Sequence, residues 1–155
     1  MQEAFYQPQD PSAAAAIASV SEDLALFDDW EDRYHYIVEL GRKLPAFPAA
    51  WMQDAYRVAG CQSKVWLYAE LHDGKLYLAG ASDAAIVAGL VALLLRVYSG
   101  RTPEEILATD PGFLKQQGLL EALSTNRGNG VAAMVRRIQA LARRALATEA
   151  NAAAN

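Results

Sequence analysis

The chain has one cysteine and two histidines, and no spacing that gathers them into a ligand set. A single thiol closes no disulfide within the chain. Structural zinc takes about four ligands in closely spaced pairs, and an iron–sulfur cluster takes about three or four thiolates. Cys61, His35 and His72 are too few to hold either from this chain alone. Glycine-rich phosphate and dinucleotide motifs are missing as well. Positive charge is in deficit, fourteen Lys and Arg against eighteen Asp and Glu, for a net of -4. A nucleic-acid backbone therefore finds no electrostatic footing. The opening Met1-Gln2-Glu3 is not a basic leader, so the expectation is a cytoplasmic protein with a reduced thiol. Apolar runs also stop short. "AAIVAGLVALLLRVY", residues 84–98, is below the roughly 18 residues of a membrane span and carries Arg96, which suits a helix buried in a globular core.

What the chain does have is length for one core: 155 residues fit a single domain. Residues 1–12 hold two prolines without periodicity and read as a flexible N-terminal arm. An alanine-rich helix follows from about Ala13 to Phe27. "DDWEDRYHYIVELGRKL" places Trp30, Tyr34, Ile37, Val38, Gly41 and Leu44 at helical spacing, with Asp28 or Asp29 as cap and Pro45 and Pro48 as stop. The period then changes to two. In "KVWLYAELHDGKLYLAG" the Asp73-Gly74 pair suits a two-residue turn, making a 64–72/75–80 hairpin in which His72 faces Lys75 and Leu71 faces Leu76. Val65, Leu67, Ala69, Leu71, Leu76 and Leu78 then share one apolar face.

Ser82 can cap the apolar helix and Gly100 can end it. Thr102, Pro103 and Glu105 form a capping-box start. A broken helical segment and a "STNRGNG" loop precede a last helix from about Gly130 to Ala147, and residues 148–155 read as a frayed tail. Helices, then strands, then helices predict an α+β fold: a small antiparallel sheet of about three strands packed against helices in one domain, 13–147.

Chemistry narrows to Cys61. Free cysteine is among the most buried residue types, and a lone one packs as a small hydrophobe. Against that, Gly60 precedes it and Gln62-Ser63 follow it, an irregular loop at a strand threshold. Arg57 or Lys64 could favour its thiolate there. Packing and function stand level on these residues. A cysteine-dependent hydrolase or peroxidase, with His35 or His72 as base, is an alternative of another class, but no oxyanion loop accompanies it. "RGNG" at 127–130 is either an anion-binding helix start or a loop capped by Asn129.

Four blocks in order resemble the SufE family of cysteine-desulfuration proteins, with its CsdE branch. "VAGCQSKVW" is similar to the family's G-C-x-S-x-V-W signature through Gly60, Cys61, Ser63, Val65 and Trp66. "WEDRYHYIVELGRKLP", "GASDAAIVAGLVALLLRVYSGRTPEEIL" and "LLEALSTNRGNGVAAMVRRI" are similar to flanking family segments. The resemblance implies a SufE/NifU-like α+β sandwich and a sulfur relay. Cys61 would accept persulfide sulfur from a PLP-dependent cysteine desulfurase of the SufS or CsdA type, activating it. The sulfur would pass to an iron–sulfur scaffold complex (SufBCD-like), or by a CsdE-like route to thiolation of a small molecule or RNA. It implies no cofactor on this chain, since the PLP belongs to the desulfurase. By position it also implies loop shape and partner contact for Gly60 and Gln62, a place beside the cysteine loop for Asp83, and contact or thiolate stabilisation for Arg127. Cys61 is expected on a loop beside the hairpin, near "TNRG", and at least partly buried.

Overall fold

In the computed structural model, residues 2–116, 118, 119 and 125–154 are described, with side chains omitted for 2, 125–128 and 154. Helix α1 (Ala13–Ala25) begins where extended Ser12 accepts the Ala15 N–H on its hydroxyl at 3.0 Å. Helix α2 (Trp30–Arg42) begins at Asp29, whose carboxylate accepts the Asp32 N–H at 2.8 Å. Each cap satisfies a donor that the first helical turn leaves unpaired. Two short 3-10 turns, Ala49–Trp51 and Asp54–Tyr56, lead into strands β1 (Val65–His72) and β2 (Lys75–Ser82). Helices α3 (Ala85–Tyr98), α4 (Pro103–Ala108), α5 (Phe113–Gln116) and α6 (Thr125–Ala154) follow. Among the described residues no helix is long and apolar enough to cross a membrane.

The hairpin has the register its sequence predicts, His72 opposite Lys75, Leu71 opposite Leu76 and Ala69 opposite Leu78. Asp73 and Gly74 both take positive φ, 51° and 77°, as a tight hairpin turn requires. On the apolar face, Val65, Leu67, Leu76 and Leu78 are sealed. Helix α3 packs on that face, and α2 packs on α3. Gly41 and Gly89 let those two helices touch backbone to backbone: a Cβ on Gly89 would stand 2.1 Å from the Ile37 carbonyl oxygen.

Several expectations need correction. The sheet has two strands among the described residues, not three. Single bridges, Arg57 to Trp66 and Leu76 to Arg101, stand where a third strand would pair. Pairing past Val58 stops because the chain turns away at Gly60. The N-terminal arm is packed rather than loose. Phe5 is buried, the Tyr6 N–H donates to the Leu78 carbonyl at 2.8 Å, and the Asp10 carboxylate pairs with Arg96. Arg101, also buried, donates to the Asp10 carbonyl at 2.8 Å.

Helix α6 starts at Thr125, five residues before the expected Gly130, so "TNRGNG" is helical; Ser124 lies outside the described residues. Glycine and asparagine disfavour helix by intrinsic propensity, but the burial of Gly130, Val131 and Met134 overrides it. The same helix continues to Ala154, through the segment expected to fray. Ser82 does not cap α3; its hydroxyl accepts the N–H of Ala84 two residues on, at 3.2 Å. Thr102 does cap α4, but the Glu105 carboxylate leaves its own helix and accepts the Ala13 N–H at 2.7 Å, tying α4 to the start of α1.

Candidate functional site

Cys61 sits on the loop between Val58 and β1. The loop is tied at its base by the Val58 N–H, which donates to the Val65 carbonyl at 2.8 Å. Asp83 ties the far side: its carboxylate accepts the Lys64 N–H at 2.9 Å, and its own N–H donates to the Lys64 carbonyl at 3.2 Å. Between the ties, Ala59, Gly60, Gln62 and Lys64 are exposed. Gly60 has φ +90°, a backbone state that L residues rarely take, so the bend ahead of the cysteine depends on glycine.

The thiol itself turns inward. Cys61 is half-buried, and its Sγ–H donates weakly to the Gly130 carbonyl at 3.6 Å. A cleft of about 100 Å³ surrounds it, with Gln62 and Ser63 at the loop, Val87 and Leu90 from α3, and Gly130 and Met134 from α6. A Cβ on Gly130 would lie 3.5 Å from the sulfur, so the missing side chain opens the space beside Cys61. Burial pushes the thiol up from its ordinary pKa, and the Arg57 guanidinium opposes that more weakly. The free protein therefore keeps a protonated, partly screened thiol.

Of the residues singled out in sequence, the structure brings together Gly60, Cys61, Gln62 and Asp83. Asp83 acts on the backbone at the loop's end, not as a cap of α3. The backbone of Arg127 lies in the first turn of α6, one turn before Gly130, but its side chain is outside the described residues. His35 and His72 pair with Glu31 and Glu70, not with the thiol. Sequence reasoning does not single out Gly130 and Met134 as site residues. The signal for them is the i, i+4 spacing of a glycine and a methionine on the buried stripe of the last helix. Among the described residues, no group of three or more His, Cys, Asp or Glu side chains could hold a metal ion.

Comparison with known proteins agrees with this architecture. Residues 18–142 match the family model SufE, described as an Fe-S metabolism associated domain. An uncharacterized SufE-like protein of Rhizobium meliloti (strain 1021) is 40% identical over 129 residues, 80% of this chain and 92% of that protein. The sulfur acceptor protein CsdE of Escherichia coli (strain K12) is 38% identical over 107 residues, 68% of this chain and 73% of that protein. A solution structure of a hypothetical protein from Thermus thermophilus superposes with TM-score 0.72 at 28% identity, covering 85% of this chain and 96% of that one. With four motif blocks, a loop-borne cysteine and a family match over most of its length, this chain belongs to the SufE family.

Proposed function

We propose that this protein is a sulfur carrier that takes sulfane sulfur from the persulfide of a PLP-dependent cysteine desulfurase onto Cys61. The observation that carries the reading is the placement of the chain's one thiol: on a loop with exposed backbone, half-buried, facing a small cleft beside Gly130. A relative named as a sulfur acceptor protein supports it.

In the step, the Cys61 thiolate attacks the terminal sulfur of the donor's Cys–S–SH group. One S–S bond forms at Cys61 and the donor's S–S bond breaks. The donor leaves as a thiolate and takes up the proton that Cys61 gave up, so there is no net oxidation. No metal or organic cofactor on this chain takes part. The raised thiol pKa makes the free carrier a poor nucleophile. Displacing the loop from the Gly130 carbonyl on docking removes both the burial and the hydrogen bond that favour the protonated form. The terminal sulfur then has the cleft as shelter, between the sealed side chains of Leu90 and Met134.

Draining the donor's persulfide frees the desulfurase for another turnover, so the carrier is also an activator. Its onward acceptor is an iron–sulfur scaffold complex, in keeping with the description of the matched family. The test is mass spectrometry of the Cys61 peptide after incubation with a cysteine desulfurase and L-cysteine. Wild type should gain the mass of one sulfur and accelerate cysteine turnover, and Cys61→Ser should do neither. An unlabelled wild-type thiol, or full acceleration by Cys61→Ser, defeats the reading.

A further inference from the structure

A second concave surface lies along α6, beyond the cysteine cleft. It is a groove of about 290 Å³ between that helix and the outer half of the hairpin. Its floor is apolar. Leu67 and Leu76 are sealed, but Ala69, Leu71 and Leu141 are only half-buried, because the cover over the sheet's apolar face runs out towards the hairpin tip. Its rim carries Arg137 and Arg144. Arg137 donates to the Ala55 carbonyl at 2.7 Å, and Arg144 is exposed. Arg137 and Arg144 are the charged residues of its lining, with no acid beside them there, in a chain whose net charge is -4. The groove is therefore a locally basic, greasy surface on an acidic protein.

We propose that this groove docks an acidic, apolar-anchored helical segment of the cysteine desulfurase that donates sulfur to Cys61. The proposal rests on the carrier reading above. Charge complementarity names the occupant. Arg137 and Arg144 are two helical turns apart, about 10 Å along the axis, which matches carboxylates spaced two turns apart on a partner helix. Leucine-type side chains between those carboxylates would meet Leu71 and Leu141. Position names the purpose. Ala55 and Tyr56 close one end of the groove and lead directly into the cysteine loop through Arg57. Met134, in the cysteine cleft, and Arg144 are carried by one rigid helix, about 15 Å apart. A segment seated in the groove thus holds its own protein beside Cys61 without covering the thiol.

The test is the carrier concentration giving half-maximal stimulation of a cysteine desulfurase, compared between Arg144→Glu, Thr148→Glu and the control Arg143→Glu. Thr148 is exposed and lines the groove; Arg143 is exposed on the same helix and does not. The first two should raise the half-saturating concentration about five- to tenfold at low salt, with the gap narrowing at high salt. Arg143→Glu should change it less than about twofold. Circular dichroism and the alkylation rate of Cys61 should match wild type in all three. Equal effects of Arg143→Glu and Arg144→Glu, or no effect of either groove variant, overturn the proposal. If wild type gains no sulfur at any concentration, the carrier reading fails instead. The groove is then read without sulfur chemistry, by fluorescence anisotropy of a labelled amphipathic peptide with glutamates two turns apart. Tighter binding to wild type than to Arg144→Glu supports the docking site, and equal or absent binding overturns it.

Discussion

Burial and one arginine pull the Cys61 thiol in opposite directions, and burial is the larger influence. The sign of the consequence is fixed. A thiol whose pKa is raised in the folded protein holds its proton to higher pH than the same thiol in the unfolded chain, so less thiolate is present at neutral pH. Iodoacetamide alkylation of native Cys61 should therefore rise with pH to a midpoint above the ordinary thiol value of about 8.5, and urea should bring the midpoint down. Arg57→Gln should move it further up, because only the opposing attraction is lost. A native midpoint at or below that of the unfolded chain would remove the resting-state account. Gly130 gives a second, separable prediction. Alanine is favoured over glycine in a helix by about 1 kcal/mol, and its Cβ would lie 3.5 Å from the sulfur, ordinary contact. Gly130→Ala should thus melt no lower than wild type, yet load sulfur several-fold more slowly, because the space for the second sulfur is reduced. A variant that loads at the wild-type rate shows that the cleft is not where the persulfide sits.

Between elements, the tightest junction is the crossing of α2 on α3. A side chain on Gly89 would meet the Ile37 carbonyl at 2.1 Å, an atom fixed in the helix backbone. The helices must separate to admit it. Overpacking of this kind costs about 1–3 kcal/mol, and in a protein of this size each kcal/mol lowers Tm by roughly 2–4 °C. Gly89→Ala should therefore melt lower by several degrees despite its better helix propensity, and a melt at or above wild type would sink the close-packing argument. Legibility varied at this scale for physical reasons. The hairpin register could be read because the Asp73-Gly74 turn and the alternation each fix it, and one slipped residue would reverse every face. Gly41 could be placed on a stripe, but its packing against Gly89 could not be read, since a close approach is a property of two segments. The early start of α6 was hidden because Asn126, Gly128, Asn129 and Gly130 carry loop-like local preferences. The burial of Gly130, Val131 and Met134 overrides them. Cys61 itself was visible only as an ambiguity in its local residues, and family pattern resolved it where propensity could not.

The whole molecule has to bury a two-stranded sheet on both faces, since two strands alone are marginal in water. One face is covered by α3 and borders the sulfur cleft. The other is covered by the N-terminal arm and the segment before the cysteine loop. Phe5, Trp51 and Ala79 are buried together, with Trp51 and Tyr68 stacked at 3.9 Å between ring centroids. The arm is held by charges as well: Arg96 bridges Asp10 and Asp23 at 3.2 and 3.0 Å, and Ser99 donates to the Tyr6 carbonyl at 2.7 Å. This arm lies ahead of residue 18, where the family match begins. The aromatic layer and the sulfur cleft are therefore on opposite faces, and their effects should separate. Phe5→Ala leaves a hole under Trp51 and should cost about 3 kcal/mol, lowering Tm by roughly 6–12 °C. The alkylation rate of Cys61 below the transition should stay within about twofold of wild type, because the cleft lining and the aromatic layer have no residue in common. A large rise in alkylation with only a small fall in Tm would mean that the arm restrains the cysteine loop, and the two-face division would have to be abandoned.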